Sequence, residues 1–172
     1  MLFQEKVKIN RDAFLKRVAE VASNCNMQPE WLMAIMNFET AGTFSPSIKN
    51  PSTGATGLIQ FMPATAKEMG TTTDALAQKT NVQQLDDVER YFRMQIRRYG
   101  TIDNVAEAYL AVFYPAAIAW PMERQFPAAV YRQNKVFDLN SDGTLTKTEI
   151  IQKIVSTIPA AYRNAIVEKK TL

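Results

Sequence analysis

Phe38-Glu39-Thr40, followed by Gly57-Leu58-Ile59-Gln60-Phe61-Met62-Pro63-Ala64-Thr65-Ala66, decides how this chain is read. The first segment closes an apolar run that starts at Trp31. Pro29 suits a first helical turn, so the pattern predicts a helix from Glu30 to Phe38 or Thr40. Trp31, Ile35 and Phe38 fall near one face, and Glu39 lies at the edge of that buried stripe. Between Glu30 and Glu68 there is no other acidic residue. A lone carboxyl among apolar side chains holds its proton near neutral pH, because burial disfavours the charged form. General-acid chemistry follows, with sugar polymers as the leading substrate class.

Outward from that pair of segments the pattern is almost wholly helical. Phe14, Leu15, Val18, Val21 and Ala22 recur at helical steps and predict a helix over 12–24. The stretch from Gly42 to Gly57, rich in Thr, Ser, Pro, Asn and Gly, lacks periodicity and reads as a long ordered loop, with room for a short hairpin. Pro63 opens a helix to about Met69 that Gly70 ends. Leu85, Val88, Phe92, Ile96 and Tyr99 define another, stopped by Gly100. Asp103 or Asn104 caps a helix that runs to Tyr114, before Pro115. Pro115, Pro121 and Pro127 break up the segment 116–134, for which no element is predicted.

Composition excludes much. The 172 residues suit one domain with a substantial core. A chain with no histidine cannot use imidazole, so Ser-His and Cys-His nucleophiles and His-bound zinc are ruled out. The single cysteine, Cys25, allows no internal disulfide and reads as a small packed residue. Carboxylate, hydroxyl, amide and ammonium groups remain. A net charge of +3, with no basic motif or cluster, makes no case for nucleic acid. Arg97-Arg98 and Lys169-Lys170 read as solvated charges. No apolar run approaches a membrane span, and the amino-terminal residues lack a cationic-then-apolar signal pattern. A monomer is expected.

Asp138-Leu139-Asn140-Ser141-Asp142-Gly143-Thr144-Leu145-Thr146-Lys147-Thr148-Glu149 fits a twelve-residue EF-hand loop. Asp138, Asn140 and Asp142 supply oxygens at positions one, three and five. Gly143 permits the sharp turn, Thr144 offers its carbonyl, and Glu149 closes the site. Leu145 anchors the loop, and Ile150, Ile151, Ile154 and Ile158 continue into an exiting helix. No second loop pairs with it, so the expectation is a structural calcium ion (Ca2+), not a sensor.

The region from Trp31 to about Val112 resembles the lytic transglycosylases of the lysozyme superfamily, in the soluble lytic transglycosylase and goose-type lysozyme branch. That family carries a catalytic Glu followed by Ser at a helix end, here Glu39-Thr40. Its Gly-Leu-Met-Gln-x-Met-Pro-Ala-Thr-Ala element is Gly57 to Ala66, with Ile59 for Met. Its Ala-Tyr-Asn-Ala-Gly element survives in part as Ala108-Tyr109-Leu110-Ala111-Val112, and Leu110 removes a polar group that the family uses in its cleft. The resemblance implies an all-α, lysozyme-like domain over 1–136, with a substrate cleft and an EF-hand-like segment over 137–172 packed on it. It implies Glu39 as general acid and then base. Gln60 would bind an N-acetyl or hydroxyl group, Gly57 would let the backbone come close, and Asn50 would take a substrate-facing serine's place. Tyr109 would set its hydroxyl near Glu39 or the sugar; by itself it reads equally as a core aromatic. Trp31, Trp120 and the phenylalanines read as core, with stacking on a sugar ring as the alternative for Trp120, beside Pro121 in irregular chain.

The implied reaction is cleavage of the MurNAc–GlcNAc β-1,4 bond of peptidoglycan glycan strands, with 1,6-anhydroMurNAc products. A second carboxylate facing Glu39 would instead favour hydrolysis, and Asp74, Asp86, Asp87 and Glu107 are the candidates. A hydrolytic muramidase or chitin-acting enzyme on the same scaffold is the first alternative. An inactive calcium-dependent wall-binding module is the second. Together with the EF-hand-like loop, the motif set resembles phage-associated members, made in the host cytoplasm and acting on the wall as endolysin or virion protein.

Overall fold

The computed structural model describes residues 1–166, with side chains through Arg163. Residues 167–172 of the expected C-terminal segment, Lys169 and Lys170 among them, lie outside the described residues. Helix α1 spans Arg11–Asn24 and α2 spans Pro29–Glu39, while the long α5 covers Asn81–Tyr99 and α6 covers Val105–Phe113. Two short helices, α3 (Pro63–Glu68) and α4 (Thr73–Ala77), lead into α5. Three more follow α6, namely α7 (Ala128–Gln133), α8 (Lys147–Thr157) and α9 (Ala160–Ile166). Among the described residues, extended pairing is confined to isolated bridges. No helix among them is long and apolar enough to cross a membrane.

The burial pattern makes α2 the central helix. Six consecutive residues, Trp31 to Met36, are buried, so the helix is enclosed on every side. Helix α1 lays Phe14, Val18, Val21 and Ala22 against it and against α5, and α6 and α8 cover other faces. Thr40 ends α2: its hydroxyl donates to the Met36 carbonyl at 2.6 Å and accepts the Phe44 N–H at 3.0 Å. That pair of bonds turns the chain into the loop over 41–62 and leaves Glu39 in the last helical turn.

The loop is ordered by a buried glutamine. Gln84, on the inner face of α5, accepts the Leu58 N–H at 2.7 Å and donates to the carbonyls of Pro46 and Leu76, each at 2.9 Å. A capping box of Thr80 and Gln83 starts the same helix. The hairpin expected in the loop is present as two isolated antiparallel bridges, Lys49 with Thr56 and Thr56 with Phe61.

The C-terminal segment shares the core. Phe137, Leu145, Ile150, Ile154 and Ile158 are buried in the same hydrophobic cluster as α2 and α6. Phe137 lies 5.9 Å from Phe38, 6.2 Å from Tyr109 and 5.4 Å from Phe113, ring centre to ring centre. Each such pair contributes about 0.5–1.5 kcal/mol beyond its buried area. Helices α4, α7 and α9 were not expected from the sequence. They are short, and α7 emerges directly after Pro127, where the proline-broken segment leaves too few residues for periodicity to develop.

Candidate active site

Glu39 opens onto a cleft of about 500 Å³. Phe38, Glu39 and Tyr109 line it together with Asn50, Thr53, Gln60 and Met62 from the loop and with Val130, Gln133, Asn134 and Val136 from the segment after α6. Among the described residues, Glu39 is the only charged side chain lining this cleft. The four carboxylates considered as second catalytic groups lie elsewhere. Asp74 pairs with Lys49 at 3.2 Å, Asp86 with Arg17 at 2.8 Å, and Asp87 with Lys79 and Arg90. Glu107 accepts the Asp103 N–H at 2.8 Å.

Burial drives the Glu39 pKa from its ordinary 4.5 up to about 8, and a hydrogen bond from the Tyr109 hydroxyl pulls it partly back. The residue keeps some accessible surface toward the cleft, so a substrate oxygen can reach a carboxyl otherwise enclosed by protein. Its place at the C-terminal end of α2 acts in the same direction as burial, because free carbonyl dipoles disfavour an anion there. Tyr109 is itself buried, and desolvation with the neighbouring Glu39 holds its phenol protonated well above its usual range. It is therefore a fixed donor. Its ring packs edge-on to Phe38 at 5.5 Å and stacks on Phe113 at 5.8 Å.

The remaining expected residues have distinct placements. Gln60 lines the cleft in a left-handed backbone conformation, φ 51°. Its amide nitrogen donates to the carbonyls of Ile48 at 3.3 Å and Gly57 at 3.1 Å, which leaves the oxygen for a ligand. Asn50 lines the rim, with its side-chain oxygen accepting from the Ser52 and Thr53 N–H groups. Gly57 lies behind the cleft. A Cβ there would stand 2.3 Å from Gln84 Oε1, so its close approach is to the buried glutamine. Leu110 points into the core, fully buried, and Val112 lines the cleft instead. Trp120 lies outside the cleft lining, with Arg124 over its ring at 4.1 Å.

In the loop over 138–149 the side-chain oxygens serve backbone donors. Asp138 accepts the N–H groups of Asp142 and Gly143, Asn140 accepts that of Asp142, and Asp142 accepts both the N–H and the hydroxyl of Thr144. Those bonds from Thr144, with one from Asn140, hold the Asp142 carboxyl below its usual range. Glu149 is buried; it accepts from the Leu139 N–H and forms a capping box with Thr146 at the start of α8. Among the described residues no three acidic side chains are gathered into a metal-holding group.

Sequence reasoning did not anticipate Gln84 or the wall formed by Val130, Gln133, Asn134 and Val136. Gln84 had a signal: it shares the inner face of α5 with Leu85 and Val88, and a polar residue there implies a buried contact. The wall had none, since it depends on a short helix that begins after Pro127.

The family described as Transglycosylase SLT domain matches residues 17–111, more than half of the chain. Those limits enclose Glu39, Gln60 and Tyr109 and stop short of Val130, Gln133, Asn134 and Val136, which also line the cleft. No curated protein matches the chain.

Proposed function

We propose, from the fact that this chain belongs to the Transglycosylase SLT domain family, which cleaves glycosidic bonds of peptidoglycan, that Glu39 alone carries the chemistry as a lytic transglycosylase. The observation that supports this reading is a cleft lined by one carboxyl, whose pKa is pushed up to about 8. Protonated Glu39 gives its proton to the oxygen bridging MurNAc and GlcNAc as the bond to C1 breaks. The sugar's N-acetyl group supports the positive charge that develops. The Glu39 carboxylate then takes the proton of the C6 hydroxyl, whose oxygen bonds to C1 and closes the 1,6-anhydro ring. The proton given is recovered, and no water is consumed. A base to activate water would need a second carboxylate facing Glu39, and among the described residues none lines the cleft.

Purified sacculi digested with the protein test this directly. Mass spectrometry should find anhydro ends; reducing ends would make the enzyme a hydrolase. The pH profile supplies a second test. The acid form is lost above a pKa of about 8, so kcat/KM should fall through that pH with loss of one proton. The Tyr109 bond favours the carboxylate, so Tyr109→Phe should move that alkaline limb to higher pH. A limb that stays put, or moves down, would remove Tyr109 from the site.

Calcium is proposed at the loop over 138–149 because its donor set is all oxygen, in the order Asp138, Asn140, Asp142, Thr144, Glu149, which suits a hard cation. Binding would draw Glu149 from its bonds to Leu139 and Thr146. A ligand that binds only the folded loop stabilises the fold by mass action, so excess chelator should lower the melting temperature by roughly 5–10 °C. No response to chelator would remove calcium from the account. The placement of the enzyme in a phage, acting on the host wall as a monomer, is proposed on the resemblance of its motifs.

A further inference from the structure

The cleft is lined in part by the family-matched stretch, and in part by residues beyond its end at 111, Val130, Gln133, Asn134 and Val136 among them. Hydrogen-bonding capacity distinguishes the four amides that line the cleft. Asn50 has its oxygen engaged by two backbone donors. Gln60 has its nitrogen engaged by two carbonyls. Asn134 donates its nitrogen to the Val130 carbonyl at 2.9 Å. Gln133, exposed at the end of α7, is the only one of the four with neither its oxygen nor its nitrogen taken by a described residue. Beside it on the same wall, Val136 is 64 % exposed.

That wall is held in register with the acid. Phe137 is buried against Phe38 and Tyr109, which flank Glu39 in the chain and in space respectively. The Tyr131 hydroxyl donates to Asp138 Oδ2 at 3.2 Å and ties α7 to the following loop. A free amide on a fixed support suits a partner that is itself an amide, since one face can donate and accept at once. An exposed Val methyl pair next to it suits the methyl group that an acetamide carries.

We infer that Gln133, with Val136, forms an acetamido-recognising subsite in the cleft that Gln60 also lines, binding the N-acetyl group of an amino sugar in the glycan strand. The inference rests on the glycan reading of the cleft and adds a residue and a ligand group to it. Peptide stems of the wall also carry amides, and the test separates the two sources.

Binding is measured with the Glu39→Gln protein, so that no turnover intervenes. Its affinity for intact sacculi and for glycan strands freed of their stems by an amidase is compared with that of a Glu39→Gln/Gln133→Ala protein. Loss of the amide should weaken binding about 5–10-fold on both materials, with unchanged melting temperature. Equal affinity on both would overturn the subsite. A loss on intact sacculi that disappears on stem-free strands would assign Gln133 to a stem amide and overturn the acetamido assignment. A Gln133→Asn protein, which keeps the amide on a shorter arm, should recover part of the affinity; recovery by Gln133→Leu instead would reduce the contact to packing. The wild-type product analysis stands apart from these measurements. Reducing ends from the wild type would sink the lyase reading and leave the Gln133 result interpretable.

Discussion

Glu39→Gln should lower wall cleavage by about 10³-fold or more while making the protein more stable above pH 5. On the proposed mechanism, the first effect follows from removing the proton that the leaving oxygen needs, worth about 10²–10⁴ for general-acid catalysis, together with the base that opens the C6 hydroxyl. The second follows from linkage. The carboxyl has an ordinary pKa of 4.5 and a folded one of about 8, so between those values the folded chain binds more protons than the unfolded. Stability from the neutral carboxyl is complete below 4.5 and drains away as pH rises, until the full cost is reached above 8. At pH 7 the cost is roughly 2–3 kcal/mol after allowing for the side of the residue open to the cleft. An amide carries no such cost. Melting curves of wild type and variant should coincide near pH 4, separate steadily up to about pH 8 and stay a constant distance apart above it. Parallel curves would mean that the carboxyl ionises freely, and undiminished cleavage would move the chemistry to another group.

The second large effect is expected at Gly57, through a residue not in contact with substrate. Gly57 has φ +85°, and an added Cβ would meet Gln84 Oε1 at 2.3 Å, Nε2 at 2.6 Å and Cδ at 2.7 Å. Gln84 is fully buried and its amide is saturated by Leu58, Pro46 and Leu76, so it has nowhere to go without orphaning polar groups. Gly57→Ala should therefore cost about 3–5 kcal/mol, from lost buried hydrogen bonds and left-handed backbone strain. That corresponds to a melting temperature lower by roughly 6–15 °C. Activity should fall with it, since the loop that carries Gln60 and Asn50 is fastened at this point. In the Gly57→Ala/Gln84→Ala protein the clash is gone, so the two losses should combine to less than their sum. Strict additivity would show that the residues do not meet.

What the sequence disclosed tracks what is local. Helices α1, α2, α3, α5 and α6 announced themselves by apolar spacing, and their ends by Pro29, Pro63, Asn104 and Gly100. Asn104 indeed accepts the Glu107 N–H at 2.9 Å. Glu39 was legible because its isolation among apolar residues is a property of the chain itself, and the structure gives that isolation a raised pKa. Gly57 was picked out as a glycine that permits close approach, but the identity of the approaching group depends on a residue far along the chain. Gln133 and Val136 were not legible at all. They reach the cleft only because Phe137 is swallowed by rings from α2 and α6, and such packing between distant segments leaves no periodic trace.

The shared burial of Phe137, Leu145, Ile150, Ile154 and Ile158 with α2 and α6 bears on anyone wishing to graft this enzyme. A fragment cut at residue 111 would keep the acid and lose the aromatic lid over its helix end, baring greasy surface that invites clumping. Domain shuffling must therefore carry the chain through at least Ile158, with the loop over 138–149 travelling as part of the same body.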